Sequence, residues 1–159
     1  MGSESNRIYC FNSQTGALKW QTQDCAGSTA GWCLPVLQPN GSYNLFFASR
    51  ASWAFRIDPF TGVTIWRRQI SIGNDSETGL LNSSPVVGDV NYDGKDEIIF
   101  CDMLNGITVV SQEDGTILGQ TFVQEGIEGT LLLEDIDGDG KLEMVVPVLN
   151  GKVQLFRWN

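Results

Sequence analysis

Short apolar stretches broken by polar turns run the length of the chain, and none keeps the 3.6-residue period of a substantial amphipathic helix. The clearest set of four is SSPVVGDV from Ser83, EIIFCD from Glu97, GITVVS from Gly106 and TILGQTF from Thr116. These stretches are rich in β-branched residues and bounded by Gly, Asn or Asp, so each predicts a strand. The same order recurs upstream between Gly31 and Gln69, as WCLPVLQ, LFFAS, AFRID and VTIWRR. A further set begins near Gly129 with TLLLED, EMVVPV and KVQLFRW and has no fourth strand. The opening set contributes RIYCF and ALKWQT, matching the third and fourth strands of the unit.

Two spaced features show that these sets are repeats. Turn glycines Gly16, Gly62 and Gly115 sit in FNSQTGALKW, RIDPFTGVTIW and VSQEDGTILGQ, between the last two strands of successive sets, at separations of 46 and 53 residues. Thr-Gly or Asp-Gly at those places predicts tight hairpins. Two acidic nonapeptides, DVNYDGKDE (Asp89 to Glu97) and DIDGDGKLE (Asp135 to Glu143), fall between the first two strands of their sets, again 46 residues apart. Four-stranded units repeating at roughly 40 to 50 residues are the blades of a β-propeller. A parallel β-helix repeats in shorter rungs, and a sandwich has no need of a recurring hairpin signature.

The expected fold is therefore all-β, built of four-stranded antiparallel propeller blades, about three and a half of them. Closed rings typically hold at least about four blades. The chain is thus expected to be a segment of a larger propeller or one completed by another chain, with self-association as a consequence of its open edges. Residues 1–6 read as a leader or tag. Residues 7–159 read as one domain, divided into a partial blade (7–24), a blade with a degenerate loop (29–74), a blade with an acidic loop (79–124) and a partial blade with an acidic loop (127–159).

The acidic loops carry the chemistry. Oxygen donors at positions 1, 3 and 5 with glycine at 6 wrap a hard cation, because alternate carboxylates converge while the glycine permits the sharp turn. The donors are Asp89, Asn91 and Asp93 before Gly94, and Asp135, Asp137 and Asp139 before Gly140. An EF-hand would place a bidentate glutamate at position 12 and continue as a helix; here position 12 is Phe100 or Val146, and a strand follows. The acid at position 9, Glu97 or Glu143, is expected to close the shell from the start of the second strand, with Lys95 and Lys141 offering only their backbone carbonyls. The metal-ligand set is thus Asp89, Asn91, Asp93, Lys95, Glu97, Asp135, Asp137, Asp139, Lys141 and Glu143, and the expected ion is calcium. The competing reading is a hairpin turn whose acids serve solubility. In the upstream unit the corresponding Asn40, Gly41, Ser42 and Asn44 include no carboxylate, so no ion is expected there.

The loops with their flanking strands, PVVGDVNYDGKDEIIF and LLEDIDGDGKLEMVV, resemble FG-GAP or VCBS repeats, the calcium-loop blades of integrin α-subunit heads and of many secreted adhesion proteins. YCFNSQTGALKW and FRIDPFTGVTIW are similar to the PQQ-type repeat of quinoprotein dehydrogenases and of the outer-membrane assembly scaffold lipoprotein. The first resemblance implies ligands at positions 1, 3, 5 and 9 plus the carbonyl at 7. The second loop matches throughout, while Asn91 removes one charge from the first. The second resemblance implies that Trp20 and Trp66 dock between neighbouring blades. Gly119 stands at the third copy's tryptophan position, which implies that this lock is missing.

Composition narrows the function classes. A net charge of −9 with no basic stripe disfavours nucleic acid and anionic membranes, and no run of 18 apolar residues exists to span a bilayer. The absence of histidine excludes His-dependent triads and imidazole metal sites. Cys25 and Cys33 flank a Gly/Ser/Thr-rich loop that suits a local disulfide, whereas Cys10 and Cys101 require neighbouring strands. Sequons at Asn40, Asn74 and Asn82 add to an expectation of an extracellular or cell-surface glycoprotein.

The expected function is non-catalytic, calcium-dependent recognition of a protein or carbohydrate ligand in adhesion, with Trp32, Trp53 and Tyr43 as candidate stacking or anchoring residues. The alternatives are an assembly scaffold that receives client strands, or a propeller fragment of a quinoprotein or polysaccharide-processing enzyme. For the last of these, Arg67, Arg68, Glu77 and Asp102 are the residues from which a site would have to be assembled.

Overall fold

The computed structural model describes residues 5–23, 25–29, 31–70, 83–103, 106–127 and 129–158. Among these the chain is all-β, with thirteen strands and no helix, arranged as successive antiparallel sheets that are the blades of a propeller. Blade I holds β1 (Tyr9–Phe11) and β2 (Leu18–Gln21). Blade II runs β3 (Leu34–Leu37), β4 (Tyr43–Ala48), β5 (Trp53–Ile57) and β6 (Thr64–Gln69) in spatial order. Blade III repeats this with β7 (Val86–Gly88), β8 (Glu97–Cys101), β9 (Gly106–Ser111) and β10 (Ile117–Phe122). Blade IV has β11 (Leu132–Glu134), β12 (Glu143–Val148) and β13 (Lys152–Arg157). Among the described residues no sheet unites strands of blades I and IV.

The pattern of each blade follows from what covers it. All five residues of β8, EIIFC, are buried, because both faces of a central strand meet a neighbouring blade. Side chains alternate between those faces: Ile98 and Phe100 join Phe46, Ala48 and Val36 in the core between blades II and III, while Ile99 and Cys101 join Met144, Val146 and Val109 between III and IV. In β4 the same alternation sends Phe47 toward blade I, where it packs with Phe55, Ile57 and Ile8. Outer strands β6 and β10 are mostly exposed, with Trp66 on the first and Gly119 and Thr121 on the second as the part-buried positions.

Tryptophans fasten adjacent blades. Trp20 Nε1 donates to the carbonyl of Pro59 at 2.9 Å and its ring lies on the turn glycine of blade II, where a methyl at Gly62 would come within 2.5 Å of the indole. Trp66 repeats this one blade on, donating to Gln112 O at 3.1 Å over Gly115. Arg56 adds donations to Gln112 O and Glu113 O, each at 2.9 Å, and Arg68 one to Gly115 O at 3.0 Å. The third lock, expected to be missing, is supplied from the opposite direction: Trp158 of blade IV lies against Gly119, and a methyl there would overlap its ring. Glycine at this position makes room for a tryptophan donated by the next blade.

Three expectations need correction or restriction. No disulfide joins the cysteines; Cys25 is buried as a thiol whose sulfur lies 3.3 Å from Thr22 Oγ1, and Cys10 and Cys101 belong to different blades. Burial pushes both the Cys33 and Cys101 thiols up, which favours their protonated form. Asn6, the last residue of the expected leader, is tied into the fold through its carbonyl, which accepts from Cys25 N at 2.8 Å. Of the sequons, Asn40 is exposed in the β3–β4 turn, while Asn74 and Asn82 lie outside the described residues, as do parts of the inferred boundaries at 74 and 79. No described helix is long and apolar enough to cross a membrane.

Trp158→Ala should lower the unfolding free energy by about 3 kcal/mol, as for other packed tryptophans. Gly119→Ala should be destabilising alone and much less so in the Trp158→Ala background. Urea denaturation of the two single variants and the double variant measures that coupling, and strict additivity would refute the Trp158–Gly119 lock.

Candidate metal centre

Each acidic loop links the first two strands of its blade and is shaped by its own carboxylates. In the first, Asp89 accepts from Asp93 N at 3.1 Å and Gly94 N at 2.9 Å, and Asp93 Oδ1 accepts from Lys95 N at 2.9 Å. In the second, Asp135 accepts from Gly138 N, Asp139 N and Gly140 N at 2.8 to 3.1 Å, and Asp139 Oδ1 accepts from Lys141 N at 2.9 Å. Gly94 and Gly140 both take φ of +84°, the left-handed geometry the turn needs. Tyr92 adopts φ +62° where the second loop has Gly138 at +75°, so the first loop holds a non-glycine residue in the same strained region.

The position-9 glutamates behave alike. Glu97 opens β8 and Glu143 opens β12; both are buried, and both turn back to accept from the amide at loop position 2, Val90 N at 3.1 Å and Ile136 N at 3.0 Å. Burial raises the Glu97 carboxyl above its ordinary range, opposed by the Val90 amide and reinforced by the charge of Asp93. In the second loop Asp135, Asp137 and Glu143 each bring a carboxylate oxygen within 4.8 Å of the others. The remaining residues of the expected ligand set sit around these groups. Asn91 Nδ2 bridges Asp93 and Glu97 at 3.3 Å each, Asp139 lies beside Asp137, and Lys95 and Lys141 are exposed at the loop ends.

Three participants escaped the sequence reading. Arg157, on β13, donates to Glu143 Oε1 at 2.8 Å, to Asp139 Oδ2 at 2.9 Å and to Asp137 Oδ2 at 3.0 Å. Its hydrogen bond to Glu143 and the charge of Asp139 raise the guanidinium further above its already high range. Tyr92 and Leu142 couple the two loops: Tyr92 Oη donates to Leu142 O at 3.3 Å, Lys141 Nζ lies 5.5 Å from the Tyr92 ring centre, and a Leu142 methyl abuts Gly88. Strand register would have flagged Arg157, since it lies opposite Glu143; linear spacing does not.

Beside the first loop a cleft of about 800 Å³ runs between blades II and III, bordered by Leu37, Arg56, Asp93, Lys95, Glu113 and Leu118. Trp32 and Tyr43 are exposed, at 82% and 49%, whereas Trp53 is half-buried beneath Arg67, whose guanidinium lies 5.0 Å from the ring centre. The residues considered for catalysis are dispersed: Arg67 covers Trp53, Arg68 binds Gly115 of the next blade, and Asp102 accepts from Gly106 N at 2.8 Å. Glu77 lies outside the described residues.

No family model matches the sequence, and no curated protein matches it. Solved structures do match in shape. BamB from Moraxella catarrhalis superposes with a TM-score of 0.65 at 14% identity over 98% of this chain and 40% of that one. The C-terminal WD40 domain of Sif2 gives 0.61 at 15% identity, over 95% and 37%. The quinohemoprotein alcohol dehydrogenase ADHIIG from Pseudomonas putida HK5 gives 0.62 at 14% identity, over 99% and 31%. These are β-propeller proteins, and at such identities the likeness establishes the fold. The chain spans less than half the length of each of these three structures.

A methyl group at Gly140 would meet nothing within 4 Å, so Gly140→Ala should cost only the left-handed backbone penalty, about 1 kcal/mol. Urea denaturation tests this, and a loss several times larger would mean that the loop is packed more tightly than described.

Proposed function

We propose that the chain is a non-catalytic recognition segment of a larger propeller whose acidic loops take calcium. The observation that carries this reading is the convergence of Asp135, Asp137 and Glu143 oxygens within 4.8 Å, in a loop built of hard oxygen donors with no nitrogen or sulfur ligand. Asp135, Asp137, Asp139, Glu143 and the Lys141 carbonyl would hold one ion, and Asp89, Asn91, Asp93, Glu97 and the Lys95 carbonyl the other. Bound calcium would supply charge neutralisation between carboxylates that otherwise repel, clamping the first turn of each blade. The chain's own groups do the rest: Gly94 and Gly140 set the turn, and Tyr92 ties one loop to the next.

Recognition of a protein or carbohydrate would fall to the cleft between blades II and III and to exposed Trp32 and Tyr43, which present flat apolar area without further burial cost. A calcium-dependent extracellular or cell-surface role accords with weak sites filled where the ion is abundant. A second reading, a scaffold that receives a strand, is favoured by one feature: β13 is the outer strand of its sheet and leaves Val153 and Leu155 exposed at 66% and 59%. A glycan array with and without chelator supports the first reading, and chelator-insensitive capture of extended peptides supports the second.

Calcium at a hundredfold excess over Kd should stabilise the folded chain by about 2.7 kcal/mol per site, and excess chelator should lower Tm accordingly. Asp135→Ala, which removes three amide contacts along with the ligand, should abolish the response of the second loop. A melting curve unchanged between calcium and chelator would overturn the calcium reading.

A further inference from the structure

The two loops match at every expected ligand position except the third, Asn91 against Asp137, and differ also in what stands opposite the closing glutamate. Glu97 pairs with Ser111, whereas Glu143 pairs with Arg157. The second loop's amides already engage Asp137 Oδ1 and Asp139 Oδ1, through Asp139 N and Lys141 N. The oxygens left over, Asp137 Oδ2, Asp139 Oδ2 and Glu143 Oε1, are the ones Arg157 takes, through Nη2, Nη1 and Nε together. A planar fork with a permanent charge fits such a set better than any other side chain.

We propose that Arg157 is an internal cation of the second loop, which calcium must displace in order to bind there. The inference rests on the calcium reading of the loops. Its consequence is that the loop with more carboxylates at its ligand positions is not the tighter site. Four carboxylates less one guanidinium leave three net negative charges, the same as Asp89, Asp93 and Glu97 carry in the first loop. Arg157 is placed to leave: its side chain is 32% exposed, and a recess of about 250 Å³ bordered by Asn91, Tyr92, Lys141 and Trp158 lies alongside. While it stays, it holds the carboxylates together in the absence of metal. Calcium and guanidinium thus compete for one set of oxygens, and each weakens the hold of the other by the same factor.

The test is calorimetric titration of the full chain with calcium, the first loop being silenced by Asp89→Asn and Asp93→Asn. In that background Arg157→Gln should tighten binding by about tenfold, equivalent to about 1.4 kcal/mol. Without calcium the Arg157→Gln chain should melt below its parent, and calcium should bring it back to the parent's Tm. Arg157→Lys keeps a charge without the fork and should tighten binding by about threefold; it carries the comparison if Arg157→Gln does not fold, as judged by circular dichroism. Equal or weaker binding in the folded variants overturns the inference. So does a second loop that stays silent in the variants while the unsilenced first loop binds calcium. Silence of both loops in every variant overturns the calcium reading as well.

Discussion

A propeller blade has two faces, and the central strands of this chain bury both. That requirement governs everything else in the molecule. Ile98 and Phe100 commit to one neighbour and Ile99 and Cys101 to the other, so no blade has a finished core by itself. Apolar burial then acts between repeats rather than within them, as in other quasi-linear arrays. The tryptophan locks sit at the outer rim of the same interfaces, where the indole covers a turn glycine and its N–H satisfies a carbonyl of the next blade.

The acidic loops exploit that rigidity. Their backbone amides are served by their own aspartates, and their glutamates are anchored at the first residue of a buried strand; in the second loop the carboxylates of Asp135, Asp137 and Glu143 converge. Converging like charges are costly unless something neutralises them. In the second loop a guanidinium from the third strand of the sheet does so; in the first, an amide from Asn91 lies between two of the acids and carries no charge. The two loops therefore share a shape and differ in electrostatics: the register is the same in both blades, but Ser111 stands opposite Glu97 where Arg157 stands opposite Glu143, and Asn91 replaces an acid.

Much of this was legible in the residues. The strand over Gly106–Ser111 and the one over Glu143–Val148 coincide with the runs GITVVS and EMVVPV, because β-branched runs bounded by Gly, Asn or acidic turns leave little alternative. The inner strand SSPVVGDV shrinks to Val86–Gly88, since its ends are drawn into the Ser83 contact with Cys101 O and into the acidic loop. The Cys25–Cys33 bridge suggested by spacing is not formed. Gly119 was legible only as a lost tryptophan; its meaning came from a residue 39 positions away.

By itself the sequence determined the repeat, the strand order within each blade, the placement of the acidic loops between first and second strands and the absence of histidine, all of which are local or periodic properties carried by neighbouring residues. The tertiary structure decided which blade supplies each lock, that no disulfide joins the four cysteines and which cation faces the second loop. Those outcomes depend on strand register and blade stacking, where a shift of one residue turns every side chain to the opposite face. Arg157 illustrates the division: as a letter it is one basic residue near the end of an acidic chain, and only its place across from Glu143 makes it part of the site.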